Sequence, residues 1–208
     1  MNFIRQTTDL FSPVFCKKLL YLLEKSRPEL IKNMYSFKGL HEEFRNFEYS
    51  SELAQMHKVI CDKISDEVDK YFKAVDTTYI EKHILDSVTV LKIKPNTPLE
   101  LHHDAEMDNP KSVDIYDSLK ERLGSYFFHI KNAILGKPKE LNRKHITVLM
   151  YLQEMEGGEL YFPLQKELIK PKPGLAVIFP AFFTHPHTVF PSLDKDRYTY
   201  RFNFIIKK

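Results

Sequence analysis

The sequence predicts an α+β chain that is mainly β, an antiparallel jelly roll (a double-stranded β-helix) with N-terminal helices packed on one sheet. Three observations predict it. Helical periodicity dominates the first third of the chain. From about Asp76 onward the residues become β-branched and alternating, in short runs punctuated by Gly, Pro and Asn. Helices first and many short strands afterwards suit segregated layers, not alternating βαβ units.

The first helix is expected from Pro13, capped by Asp9 or Ser12, with Val14, Phe15, Leu19, Leu20, Leu22 and Leu23 at helical spacing. Arg27-Pro28 stops or kinks it. Residues 34–50 read as a loop or short strands. A second helix runs from Ser51 to about Ala74, striped by Leu53, Met56, Val59, Ile60, Ile64, Val68, Tyr71 and Phe72. His57 and Cys61 on it read as packing or surface residues. Cys16 and Cys61 both fall on amphipathic helices, which favours reduced thiols over a disulfide framework.

The strands follow. Ser87–Ile93 alternates, Lys94-Pro95-Asn96-Thr97-Pro98 is turn chemistry, and Leu99–Asp104 is the next strand. Residues 105–143 read as an insertion: a helix from Ser112 to about Leu123, then an apolar helix or strand from Ser125 to Leu135. Such an excursion is a lid near a site or an annex outside it. Its basic run, Lys137-Pro138-Lys139 through Arg143-Lys144-His145, reads as a solvated surface. Strands resume at His145–Leu152, at Glu159–Phe162 after the Gly157-Gly158 turn, and at Leu175–Pro180. Thr184–Val189 and Tyr198–Ile206 complete the set.

At 208 residues this is one domain, with residues 1–80 as helical support and 81–208 as the jelly-roll core. The 43% hydrophobic and 28% charged composition is ordinary for a globular protein. A net charge of +3 is too small to argue for nucleic acid. The N-terminus has no apolar signal segment and no run reaches bilayer length, so a soluble, reducing, cytoplasmic setting is expected.

The chemistry concentrates in two short stretches. His102 and Asp104 are one residue apart and share a face if both lie on a strand. A third ligand arrives from His185 or His187, which would also share a face; spacing to Val189, Pro191 and Arg197 favours His187. Two imidazoles and one carboxylate, with open positions opposite, suit a non-heme Fe(II) oxygenase. Arg197, ten residues beyond His187, could clamp a carboxylate bidentately beside the metal.

Four stretches then resemble one family. They are Leu101-His102-His103-Asp104, the strand Ile146–Leu152, the turn Glu156-Gly157-Gly158-Glu159-Leu160, and the series His187, Val189, Pro191 and Arg197. Together, over roughly residues 85–206, they resemble the Fe(II)- and 2-oxoglutarate-dependent dioxygenases, most of all the prolyl 4-hydroxylase-like branch. The resemblance implies His102, Asp104 and His187 as iron ligands and Arg197 as the partner of the distal 2-oxoglutarate carboxylate. It implies hydrogen bonds to that carboxylate from Tyr151, with Thr199 two residues past Arg197 as a further donor. One position departs: many relatives carry a tyrosine where this chain has Ile93.

The implied reaction consumes O2 and 2-oxoglutarate, releases succinate and CO2, and hydroxylates a substrate; ascorbate is an admissible accessory. Peptidyl proline is the leading substrate, with a free amino acid or small metabolite as alternative. Nucleic acid is disfavoured, since Arg201 lacks the spacing of the demethylating relatives. A cupin-like metal-binding module and a zinc hydrolase using the same triad are the competing classes. Neither explains Arg197 and Tyr151 as well as the oxygenase does.

Overall fold

A computed structural model describes residues 2–26, 51–75, 83–105 and 144–206, and the backbone of two short strands at Leu30–Ile31 and His41–Phe44. Helix α1 spans Pro13–Ser26 and α2 spans Ser51–Ala74. Ser12 caps α1: its hydroxyl accepts from the Phe15 N–H at 3.2 Å, with Pro13 at the first helical position. Asp9, the other candidate cap, instead takes a left-handed turn conformation, φ 58°. The expected helix within 112–123, the apolar segment after it, the basic run up to Arg143 and the lid reading all lie outside the described residues.

In chain order the strands are β1 (Arg5–Thr7), β2 (Leu30–Ile31), β3 (His41–Phe44), β4 (His83–Ile93), β5 (Leu99–His102) and β6 (Lys144–Tyr151). They continue as β7 (Leu160–Phe162), β8 (Glu167–Ile169), β9 (Ala176–Pro180), β10 (His187–Val189) and β11 (Arg197–Ile206). A seven-stranded sheet is ordered β1-β9-β6-β11-β4-β3-β2, and a four-stranded sheet β5-β10-β7-β8. Among the described residues every pairing is antiparallel. Two antiparallel sheets with helices on one of them are the expected architecture.

The large sheet has two buried faces, and strand alternation divides its residues between them. One face packs on the helices: Val148 and Met150 of β6, Ile178 of β9, and Tyr200 and Phe202 of β11 join Leu19, Leu53, Ile60 and Ile64 in one apolar cluster. The other face looks toward the small sheet. There Ile93, Leu149, Tyr151, Val177 and Phe179 meet Leu99, Leu160, Phe162 and Val189 in a second cluster. The continuously apolar run of β6 follows from burial on both faces.

The expected strand over Leu99–Asp104 is shorter in the structure. It ends at His102, and Asp104 lies in the turn beyond. The next N–H, of Ala105, leaves the sheet pairing and donates to the Ala181 carbonyl at 2.7 Å. Likewise β10 begins only at His187, which puts His185 in the preceding bend and not on the same strand. Strands β1 and β8 were not foreseen; β1 borrows its partner from β9 and β8 from β7.

One turn ties the helical layer to the sheet. Gly174 has φ 76°, and a Cβ there would lie 2.0 Å from the Phe11 carbonyl oxygen. Its N–H donates to the Tyr151 carbonyl at 2.9 Å, and the Tyr151 N–H donates to the Leu175 carbonyl at 2.9 Å. Gly174→Ala therefore meets both a left-handed backbone and a closed space. It is expected to destabilise the fold by more than about 1 kcal/mol, read as a lowered urea midpoint at unchanged slope.

Candidate active site

The small sheet carries two of the three clustered ligands. His187, first residue of β10, pairs in register with His102, last residue of β5. Their rings lie 4.4 Å apart, centroid to centroid. Asp104 reaches in from the turn: its carboxylate is 3.9 Å from His102 Nε2 and 3.8 Å from His187 Nε2. One potential donor atom from each residue falls within 4.8 Å of the others. His102, Asp104 and His187 are thus brought together as the spacing implied, although Asp104 arrives from a turn.

Both imidazoles are already oriented. His102 Nδ1 lies 2.7 Å from the Glu100 carbonyl, and His187 Nδ1 lies 3.1 Å from the His185 carbonyl. A carbonyl only accepts, so each Nδ1 carries the hydrogen and each Nε2 keeps its lone pair. That second hydrogen bond fixes tautomer and ring angle in metal-ligating histidines. His185 itself stays outside the triad. Its ring is buried, hydrogen-bonded at Nδ1 to the Thr184 hydroxyl at 3.0 Å. Its contribution is the backbone carbonyl that orients His187.

The electrostatics suit a cation. Burial pulls the His187 imidazole down to about 4, so it is neutral and able to ligate near pH 7. Burial opposes ionisation of Asp104, but His187, Arg201 and His102 outweigh it and hold the carboxyl at about 2. Asp104 is therefore an anion at physiological pH. Its Oδ2 is buried and finds no hydrogen-bond partner among the described residues. A buried carboxylate oxygen without a donor, beside two oriented nitrogens, fits a metal ion bound there.

The triad opens into a pocket of about 580 Å³, mouth included, lined by both sheets. Leu91, Leu99, Leu149 and Val189 form its apolar walls, and Arg197, Thr199, Tyr151 and Arg201 its polar ones. Arg197 opens β11 opposite Ile93, and Thr199 pairs with Tyr151 of β6. Arg197 is 3% exposed, its Nε has no hydrogen-bond partner among the described residues, and burial lowers its pKa to about 10, so it stays charged. The Thr199 hydroxyl is buried and also lacks a partner among the described residues. Burial raises Tyr151 to about 12, which keeps its hydroxyl protonated and able to donate. Ile93 places a hydrocarbon beside Arg197.

The residues foreseen for the site all reach this pocket. Arg201 reaches it too and was assigned no role from the sequence. The signal was available: residues 197, 199 and 201 alternate onto one face of a strand.

A buried guanidinium facing a two-histidine, one-carboxylate cluster inside a jelly roll defines a class, the oxygenases that pair a single metal with a carboxylate cosubstrate. Comparison with known proteins makes that specific. The model of the 2OG-Fe(II) oxygenase superfamily matches residues 88–205, and the chain belongs to that superfamily. It is an enzyme of the 2-oxoglutarate-dependent dioxygenase class. No curated protein matches it by sequence.

Among solved structures, the fold is similar to a viral collagen prolyl hydroxylase from Paramecium bursaria Chlorella virus-1 in complex with 2-oxoglutarate. The TM-score is 0.64 at 18% identity, over 100% of this chain and 97% of that one. A Pseudomonas putida prolyl 4-hydroxylase is similar at TM-score 0.59 and 15% identity, over 99% and 93% of the two chains. So is a Trichoplax adhaerens prolyl hydroxylase in complex with a hypoxia inducible factor peptide, at TM-score 0.64 and 14% identity, over 99% and 84%. Among the described residues no helix is long and apolar enough to cross a membrane.

The triad makes a direct prediction about metal. Removing any of His102, Asp104 or His187 as alanine is expected to weaken Co(II), used as a spectroscopic stand-in for iron, by at least about 100-fold. His185→Ala keeps the backbone carbonyl and should stay within a few-fold of the parent. Visible-absorption titration of the folded variants measures this; loss of Co(II) in His185→Ala with retention in His187→Ala would reverse the ligand assignment.

Proposed function

We propose that His102, Asp104 and His187 ligate Fe(II), that Arg197 holds the distal carboxylate of 2-oxoglutarate, and that the enzyme hydroxylates a peptidyl prolyl residue. The observation that carries the cosubstrate assignment is Arg197. A buried cation without a carboxylate on its Nε is costly unless an anion completes it, and a dicarboxylate bound to the metal at one end supplies one at the other. Thr199, unpartnered and two residues along the same face, adds a donor to that carboxylate, and the protonated Tyr151 hydroxyl adds a second.

Iron with bound 2-oxoglutarate and O2 supplies the oxidising chemistry, releasing succinate and CO2 and inserting one oxygen into a substrate C–H bond. The chain's own contribution is position and environment. The Glu100 and His185 carbonyls hold two ligand rings so that both Nε2 atoms face one point. Arg197 fixes the cosubstrate's far end before oxygen arrives. Leu91, Leu99, Leu149 and Val189 keep water from the walls around the reacting centre.

The prolyl assignment draws on the fold shared with three prolyl hydroxylases. A fold alone hosts many substrates, so the substrate is the part to test first. The enzyme is incubated with Fe(II), 2-oxoglutarate and a proline-rich collagen-like peptide, and succinate and peptide mass are followed together. Expected is one added oxygen on proline per succinate formed. Succinate formation coupled instead to free proline, with the peptide unmodified, would move the substrate to the free amino acid.

A further inference from the structure

Asp104 differs from the other two ligands in how it is held. His102 and His187 sit on strands, and a backbone carbonyl orients each ring. Asp104 stands in a turn, where its side chain has more freedom. A carboxylate has two oxygens, and a metal that takes one leaves the other to be fixed by a donor from the protein.

The turn is laid across one particular corner of the large sheet. The Ala105 N–H donates to the Ala181 carbonyl at 2.7 Å, and the Ala181 N–H donates to the His145 carbonyl at 3.0 Å. His145 is two residues before Thr147 on β6. Thr147 faces the pocket side, because Leu149 and Tyr151 follow it at the period of two and both line the cavity. It also pairs with Phe179 of β9, whose ring packs on His187 at 4.9 Å between centroids. Asp104 and Thr147 are thus brought to the same corner, one on the turn and one on the strand beneath it.

Within Ile146–Met150 Thr147 is the one side chain with a polar group. It is fully buried, and its Oγ1 finds no full hydrogen bond among the described residues. Even so it acts on Asp104. Burial opposes ionisation of that carboxyl, and after the charges of His187, Arg201 and His102, hydrogen bonding from Thr147 helps to hold it down. The competing acceptor is Asn203 Oδ1, in register on β11, whose amide nitrogen already donates to Ser87 Oγ at 3.0 Å. A hydrogen bond to an ionised acceptor is roughly twice as strong as one between neutral groups, so the single hydroxyl hydrogen goes to Asp104.

We propose that the Thr147 hydroxyl donates to one oxygen of the Asp104 carboxylate and so holds the other toward the point that the His102 and His187 Nε2 atoms face. This rests on the metal assignment made above. Thr147 is a positioning residue: it acts through Asp104.

Co(II) binding, followed by visible absorption, tests it without turnover. Thr147→Val keeps the branched shape and removes the donor. Thr147→Ser and Thr147→Ala are close in size, and only serine keeps the donor. Thr89 of β4 is a matched control, since it is fully buried on the same face of the sheet and its Oγ1 also lacks a partner among the described residues. Thr147→Val and Thr147→Ala are expected to bind Co(II) about 10- to 100-fold more weakly than the parent. Thr147→Ser should stay within a few-fold of the parent, and so should Thr89→Val. If valine does not fold in this corner, the serine and alanine pair carries the test.

Three results overturn the proposal: parent-like Co(II) affinity in Thr147→Ala, equal weakening in Thr147→Ser and Thr147→Ala, or the same weakening in Thr89→Val. The first leaves the hydroxyl without a role at the site; the other two make the effect one of packing. Failure of the underlying assignment looks different, because the parent itself would then bind no Co(II), which overturns both.

Discussion

The pairing of β10 against β5 is the constraint on which the site depends. It sets His187 opposite His102 across two short strands, and neither strand is long enough to hold its register alone. The register is held by a side-chain bond between the two strands and by a third strand. On one flank Thr188 donates from its hydroxyl to the Leu99 carbonyl at 2.7 Å; on the other Val189 and Thr188 pair with Leu160 and Tyr161 of β7. Below them, Phe162 and Phe179 pack against the His187 ring at 5.4 and 4.9 Å between centroids. A slip of one residue would turn His187 to the outer face of the sheet and dissolve the cluster.

The same period-two logic governs the large sheet. Tyr198, Tyr200 and Phe202 of β11 face the helices, while Arg197, Thr199 and Arg201 between them face the pocket. Burying a guanidinium and a carboxylate opposes folding. The helix-side cluster offsets it, since burial of Leu19, Leu53, Ile60 and Ile64 against β6 and β11 stabilises the strands irrespective of what lines the other face. Stability and chemistry thus sit on opposite sides of one sheet, and polar groups left without partners in the pocket are tolerated because the other side is fully packed.

Much of this was legible in the sequence, for identifiable reasons. Helices α1 and α2 declared themselves through long apolar stripes and, for α1, the Ser12-Pro13 start. Strands β4, β6, β9 and β11 were visible as β-branched or apolar runs between turn residues. Strands β1 and β8 were not, because three-residue strands such as Arg5-Gln6-Thr7 carry too little pattern and exist by pairing with a neighbour. The triad was found by spacing, yet the reason assigned to it was partly mistaken. Asp104 meets His102 through a turn after the strand, a geometry that alternation cannot express. His187 and not His185 meets His102 because the strand begins at His187 and pairs it in register with His102, a boundary that residue identity does not mark.

The account stands or falls on Arg197 and a metal-bound dicarboxylate sharing one pocket. The most direct measurement is anaerobic titration of 2-oxoglutarate into Fe(II)-loaded protein, following the weak visible charge-transfer absorption of the chelated cosubstrate. The account predicts a saturable band in the parent protein and its loss in Arg197→Ala at the same ligand concentration with iron still bound. No band in the iron-loaded parent, or an unchanged band in Arg197→Ala, would contradict it.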